Sequence, residues 1–304
     1  MNEVYKRIFV LILQLFSFIT VVNAQDLDPR AYVNIPVNAT IVISGLTFSK
    51  GDVLLDPSLP IEDLDATVES ASLGVSHTFS LFGQTAQALA VLPYSWAQLT
   101  GKIDGLERDK NLNGIGDMRF RLSVLLLGGK AISLSDFSKQ TNRTILGASI
   151  SLVAPTGEYD SDKLINLGTN RWSFKPELAL SQRMGDRRML DVYSGVWLFT
   201  ENDSFYPGKS ERKQDPLYSF QTHLSYNINP RMWAAFDATY YVGGQSSVND
   251  EYNDDRQSNA RLGATLVFPV AKWNSVKIAY SQGAIIRTGA DFKTFSVGWS
   301  RTWF

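Results

Sequence analysis

The stretch from Thr144 to Met184 constrains the fold more than any other part of the chain. Successive side chains of a β-strand point to opposite faces, and two runs in this stretch alternate with that period. Apolar residues occupy every second position, at Leu146, Ala148, Ile150, Leu152 and Ala154 in the first run and at Trp172, Phe174, Pro176, Leu178 and Leu180 in the second. Small or polar residues stand between them, and a polar loop joins the runs. The pattern predicts a β-hairpin whose apolar face is about ten residues long, which is the length of a strand crossing a bilayer in a closed barrel.

Ten further segments repeat this strand pattern. They span roughly residues 38–50, 66–82, 86–99, 118–126, 189–200, 218–226, 232–242, 260–266, 275–287 and 292–304. Long and short connections alternate, with 101–116 and 201–216 predicted as long polar loops; the exceptions are a long connection at 132–142 and a brief one at Thr288-Gly289. An even strand count with this alternation predicts an all-β fold, a transmembrane antiparallel up-and-down β-barrel of about 12 strands in the bacterial outer membrane. Short turns and both termini then lie in the periplasm.

A soluble β-sandwich is the alternative fold, because sandwich strands also alternate. Strands this long favour the barrel, as do the charges that recur opposite the apolar face at Arg119, Arg121, Lys175 and Glu177. The barrel register predicts that arginine is costly at the lipid-facing positions Leu178 and Leu224. It predicts that arginine costs far less at the lumenal positions Ser181 and Ser225.

The N-terminus has the pattern of a secretory signal peptide. Lys6 and Arg7 precede the apolar run Ile8–Val21, and Val22-Asn23-Ala24 supplies small residues for cleavage. The run is short for an anchoring transmembrane helix, which is the other interpretation. We therefore predict a signal peptide at residues 1–24, cleaved after Ala24, and a single barrel domain at 25–304. Whether residues 25–37 fold into the barrel as a plug is left open by the sequence.

Composition excludes several classes of protein. The chain has no cysteine, which excludes a disulfide framework and thiolate metal sites. The formal net charge is −1, with 29 basic and 30 acidic residues, so nothing indicates a nucleic-acid partner. Aromatic residues make up 12%, which is enough to supply girdles at both membrane interfaces.

Three stretches carry a resemblance to a known family: Leu152–Ser181, Gly195–Gly208 and Arg212–Pro216. In order, they resemble the outer-membrane family named after the meta-pathway of phenol degradation, whose members are often called transporters. The resemblance implies a β-barrel in outer-membrane lipid that passes small, often aromatic, organic solutes, without catalysis and without a cofactor. Phe304 resembles the terminal aromatic residue that the outer-membrane assembly machinery reads, which implies that machinery as a partner. The facing of the last strand is left open, because Phe295, Val297, Trp299 and Trp303 share one face and Phe304 falls on the other.

Charged residues on the polar faces are the candidate functional residues. The predicted lumen-lining set is Arg119, Arg121, Lys175, Glu177, His223, Asp237, Arg261 and Lys277, and Arg183, Arg287 and Asp191 share the same faces. One interpretation is a mixed-charge pore lining. The other is structural, because buried charges must be paired or hydrated, and pairs such as Glu177 with an arginine would stiffen a narrow lumen. If water fills the lumen, the excess of basic groups favours anions.

Two further motifs resemble chemical sites. Residues 109–114 begin like a calcium loop, but Phe120 stands where such a loop has glutamate; a polar surface loop is the simpler interpretation. His223 and Ser225 share one strand face and resemble the pair in outer-membrane phospholipase A, yet they face the lumen rather than lipid. His77 is the only other histidine, so no metal cluster can be assembled from the sequence.

These observations predict an outer-membrane barrel for passive passage of small solutes. A structural barrel without transport is the alternative, and a barrel lipid hydrolase is a third hypothesis.

Overall fold

The structure, a computed structural model, describes residues 27–54, 61–103, 106–137, 143–163, 165–206 and 209–304. The signal peptide predicted at residues 1–24 lies outside these ranges. Within them the chain forms seventeen strands: β1 (Thr40–Leu54), β2 (Ile61–Leu81), β3 (Gln84–Ile103), β4 (Leu106–Ile115), β5 (Met118–Leu127), β6 (Thr144–Ala154), β7 (Ser173–Met184), β8 (Arg188–Phe199), β9 (Asn202–Phe205), β10 (Ser210–Gln214), β11 (Leu217–Asn229), β12 (Met232–Gly243), β13 (Ser246–Val248), β14 (Glu251–Tyr252), β15 (Gln257–Ala271), β16 (Asn274–Ile285) and β17 (Gly289–Trp303). None of the described residues forms a helix long and apolar enough to cross a membrane.

Twelve of these strands close into an antiparallel barrel, so the predicted fold is confirmed. The neighbours run in the order β2, β1, β17, β16, β15, β12, β11, β8, β7, β6, β5, β3, and pairing of β2 with β3 completes the ring. The first and last strands pair over their full lengths, from Thr40 opposite Trp303 to Leu54 opposite Gly289. Closure satisfies the edge hydrogen-bonding groups that an open sheet would leave exposed.

The alternation of side chains decides which face is inside. Along β7, Leu178 is 60% exposed, whereas Lys175 and Glu177 on either side of Pro176 are buried. Along β11, Leu224 is exposed and its neighbours His223 and Ser225 are fully buried. Apolar side chains therefore form the outer surface and polar ones the interior, which is the arrangement of a barrel surrounded by lipid rather than by water.

The two ends of the barrel differ in their connections. At one end, here called the turn end, β-hairpins are closed by tight turns such as Phe82-Gly83, where both residues have positive φ (50° and 77°) as two-residue hairpins require. At the other, the loop end, longer segments connect the strands, including the long loop (residues 155–172) between β6 and β7. Chain connectivity places Thr40, the start of β1, at the turn end.

Two predicted loops contain strands, which corrects the sequence interpretation. Residues 106–115 of the predicted loop 101–116 form β4, paired with the outer half of β3 from Ile103 opposite Leu106 to Tyr94 opposite Ile115. Loop 201–216 contains β9 and β10, which join β13 and β14 in a small separate sheet. Beyond the lipid, neither face of a hairpin needs apolar residues, so the alternation that reveals a membrane strand is absent there.

The last strand, whose facing the sequence leaves open, presents Phe295, Trp299 and Trp303 outward. Phe304 follows the strand, and its ring centroid lies 4.8 Å from that of Trp273 in the neighbouring turn. Exposed aromatic side chains also stand near the loop end, at Trp172, Tyr218 and Tyr240. Aromatic groups at both ends match the predicted girdles.

Candidate functional site in the barrel lumen

The N-terminal segment (residues 27–33) lies inside the barrel. The Arg30 guanidinium donates to Ser225 Oγ (2.9 Å) and Asn227 Oδ1 (2.7 Å). The hydroxyl of Tyr32 is hydrogen-bonded to Ser149 Oγ (2.7 Å) and donates to Glu177 Oε1 (2.8 Å). These partners line the turn-end half and the middle of the lumen, so the segment fills that part of it.

Small residues on the wall make room for this segment. Gly147 on β6 faces the Tyr32 ring so closely that a β-carbon there would overlap it. Gly263 on β15 stands in the same relation to Leu27. Tyr32 also packs edge-on against Tyr193, with ring centroids 5.0 Å apart. The wall sequence is therefore shaped to hold the segment.

A layer of paired charges crosses the lumen beside the segment. Glu177 binds Lys175 Nζ at 3.0 Å and Arg121 Nη2 at 3.6 Å, so the contact expected between Glu177 and an arginine is present. Asp28 of the segment lies 2.9 Å from Lys277 Nζ and 3.9 Å from Arg121 Nη1. Lys175 and Glu177 are buried, and there the pairing offsets the cost of burying each charge, whereas Asp28 and Lys277 are partly exposed.

A second cluster of polar side chains, centred on β11 and β12, lies against the N-terminal segment. His223 Nδ1 is 2.7 Å from Asp237 Oδ1, and both side chains are fully buried. Thr265 donates to the other Asp237 oxygen at 2.8 Å. Ser225 Oγ is held by Arg30 rather than by His223, and the N-terminal segment covers it. This arrangement is that of a structural network and does not place a base on the serine as a hydrolase requires.

The loop-end half of the lumen contains a cavity of about 260 Å³. Asp28 and Ala31 of the N-terminal segment form its floor, and Leu167, Thr169 and Arg171 of the long loop reach its outer end. Its apolar lining residues include Leu89, Val91, Pro93, Tyr193, Trp197, Phe199 and Leu217. Its charged lining residues are Arg119, Arg121, Lys175, Glu177, Asp28, Asp117 and Arg171. The cavity thus combines apolar walls with four basic and three acidic groups.

Asp117 fixes the long loop over the cavity. Its Oδ1 accepts from the backbone N–H of Gly157 (2.9 Å), and its Oδ2 accepts from the N–H (2.9 Å) and hydroxyl (2.6 Å) of Thr169. A carboxylate that accepts several such bonds is held in place and is itself satisfied. Asp117 therefore positions Arg171, two residues beyond Thr169, at the outer end of the cavity.

Arg171 is a buried cation at the outer end of the cavity. The side chain is 3% exposed, and its guanidinium carbon lies 4.4 Å from the centre of the Phe199 ring. Burial, together with the nearby positive charge of Arg212, holds the pKa of Arg171 well below its usual value, although Asp117 opposes the shift. A buried guanidinium in this setting is stabilised by any anion that binds beside it.

The predicted lumen residues fall into two groups. Arg119, Arg121, Lys175 and Glu177 line the cavity, whereas His223, Asp237 and Arg261 are buried away from it and Lys277 pairs with Asp28. Arg287 corrects the sequence interpretation: β16 ends at Ile285, and Arg287 lies in the following connection, 2.9 Å from Asp254. Residues 109–114, considered as a calcium loop, lie in the extended strand β4, which spaces their oxygen atoms along the strand.

Sequence reasoning missed Asp117 and Arg171. Both lie outside the regular part of a membrane strand, where alternation assigns no face. The available signal was the stretch Gly168–Ser173, which belongs to the motifs that carry the family resemblance.

Comparison with known proteins identifies the family. The model of the family described as "Putative MetA-pathway of phenol degradation" matches residues 44–302. The chain belongs to this family. No curated protein matches its sequence.

Two solved structures show how widely this family's fold is shared. The COG4313 outer membrane channel from Pseudomonas putida F1 superposes with a TM-score of 0.79 at 22% identity, over 91% of this chain and 100% of that one. The transport unit of the autotransporter AIDA-I from Escherichia coli gives a TM-score of 0.52 at 10% identity, over 94% and 96% of the two chains. At these identities the likeness concerns the fold.

Proposed function

We propose that this family member is a bacterial outer-membrane channel for the passive passage of small organic solutes. The observation that carries the proposal is the cavity inside the loop-end half of the lumen, about 260 Å³ in volume and lined mostly by apolar and basic residues. A purely structural barrel gains stability from a filled lumen and has no need of such a space. The solved structure described as an outer membrane channel, which shares the fold, supports the same proposal.

The orientation of the barrel in the membrane supports passage of solutes from the outside inward. In barrels of this type the short turns face the periplasm and the longer loops face outward. The cavity therefore lies on the outer side of the barrel beneath the long loop, and the N-terminal segment lies between it and the periplasm. A solute that enters from outside meets the cavity first and crosses when the N-terminal segment gives way.

A structural barrel without transport is the second candidate. The paired charges and the N-terminal segment that fill the turn-end half favour it, since a filled half-lumen blocks diffusion. The two candidates differ in whether the segment can move.

Planar-bilayer recordings decide between them. We expect a low conductance in the wild type and a larger one when residues 27–33 are deleted, because the deletion removes the floor of the cavity. Replacing Arg119 and Arg121 with serine should lower the preference for anions. Heat-dependent gel mobility verifies that each variant is a folded barrel. If folded wild type and folded deletion variant both fail to conduct, the protein is a structural barrel.

A further inference from the structure

The outer end of the cavity presents a buried cation with unused hydrogen-bond donors. Nη2 of Arg171 donates to Gln214 Oε1, while its Nε and Nη1 meet no acceptor within the described ranges. Buried polar groups are nearly always hydrogen-bonded, and an exception calls for an explanation. The planar fork of an arginine matches the two oxygens of a carboxylate. These unused donors therefore indicate an anionic ligand group.

The neighbouring cations are occupied differently. Lys175 is bound by Glu177 at 3.0 Å. Arg121 also has a buried Nε and Nη2 without an acceptor in the described ranges, but its charge lies between the carboxylates of Glu177 and Asp28. These pairs stay within the lumen wall and the N-terminal segment, so Arg171 is the cation best placed to receive a ligand from the outer side.

The walls next to Arg171 are apolar. Phe199 lies beneath the guanidinium, and Trp197 and Leu217 continue the surface toward the floor. A cavity of roughly 150 Å³ is enough to hold benzene, and this one measures about 260 Å³. One ring with a carboxylate therefore fits, whereas the walls offer little to a highly hydrated anion.

We propose that the cavity is a binding site for small monocarboxylates that carry a single aromatic ring or an apolar group of similar size. The carboxylate binds the Arg171 guanidinium, and the ring lies against Trp197, Phe199 and Leu217. This inference rests on the proposed channel function and names its substrate class.

Equilibrium binding to the detergent-solubilised barrel tests the inference, with the intrinsic fluorescence of Trp197 and the other tryptophans as the signal. Benzoate should bind at least about tenfold more tightly than its neutral analogue benzyl alcohol, as charge-assisted hydrogen bonds allow. Benzylammonium should bind more weakly than either. Arg171→Gln should remove the preference for benzoate and leave benzyl alcohol binding unchanged.

Arg261→Gln is the matched control. Arg261 is also a buried lumenal arginine, but it donates to the Phe292 carbonyl and does not line the cavity. Its replacement should leave the benzoate preference intact. If Arg171→Gln fails to fold, the comparison of the three ring compounds on the wild type decides alone.

The outcomes separate the two proposals. Equal binding of benzoate and benzyl alcohol by the wild type, or an unchanged preference in Arg171→Gln, overturns the carboxylate inference while the channel stands. If neither compound binds and the folded protein shows no conductance in planar bilayers, with or without residues 27–33, both proposals fail.

Discussion

The two halves of the lumen are enclosed by the same twelve strands, yet they are filled in different ways. In the turn-end half, the N-terminal segment occupies the space and buried polar groups pair with one another: His223 Nδ1 with Asp237, Asp237 with Thr265, and Arg30 with Ser225, although His223 Nε2 meets no partner in the described part of the chain. In the loop-end half, a cavity of about 260 Å³ remains, and two donors of Arg171 meet no acceptor in the described part of the chain.

The turn-end half therefore contributes mainly to stability, and the loop-end half mainly to binding. Paired polar groups in a filled interior rigidify their surroundings. An unsatisfied charge beside an apolar wall costs stability, and such costs are typical of binding sites. We therefore expect substitutions in the turn-end half to change the free energy of unfolding, and those in the loop-end half to change binding.

The largest effect is expected at Asp237. Asp237→Ala leaves His223 and Thr265 without their acceptor in a dry interior, so the free energy of unfolding should fall by about 3–5 kcal/mol. Arg171→Gln in the loop-end half should change it by less than about 1 kcal/mol. Urea titration of the protein in lipid vesicles measures both. Asp237→Asn, which keeps one acceptor, is the control and should lie between them. Similar costs at Asp237 and Arg171 would mean that the two halves do not differ as described.

A smaller effect is expected from one substitution made in both halves. Ser225 is fully buried beneath Arg30, so Ser225→Leu should overpack the interior and cost about 1–3 kcal/mol. Ser151 lines the cavity, so Ser151→Leu should cost less than about 0.5 kcal/mol, because its added atoms enter empty space. The same titration tests the pair. If Ser151→Leu proves the costlier of the two, the cavity is not available to a side chain.

This comparison also shows what the sequence could and could not predict. Period-two alternation correctly assigns Ser225 to the inside and Leu224 to the outside, because it depends only on strand geometry. It also predicts that arginine costs far less at Ser225 than at lipid-facing positions. The structure changes that expectation: Arg30, distant by 195 positions, already occupies the space. When a segment distant in sequence fills a lumen, the strands that enclose the lumen show no periodic pattern that reveals it.

The residues of the candidate site also fall into those that alternation predicts and those that it does not. Arg119, Arg121, Lys175 and Glu177 lie in regular strands, and alternation was enough to place them on the inner face. Arg171 lies in the long loop, and its position depends on the bonds from Gly157 and Thr169 to Asp117. Such contacts follow from the three-dimensional path of the loop, which no local pattern records.

The smallest effect is expected at the boundary between the two halves. Tyr32→Phe removes the hydroxyl that joins the N-terminal segment to Ser149 and Glu177, and should lower the free energy of unfolding by about 1 kcal/mol. The ring stays beneath the Arg121 guanidinium, 4.6 Å from its carbon, so the segment should loosen without leaving the lumen. Planar-bilayer conductance should then rise above that of the wild type but remain below that of the variant lacking residues 27–33. Tyr218→Phe, on the lipid-facing side of β11, is the control and should alter neither quantity. A loss of stability with unchanged conductance would show that the segment stabilises the barrel without controlling passage, and the boundary between the halves would then not be the gate.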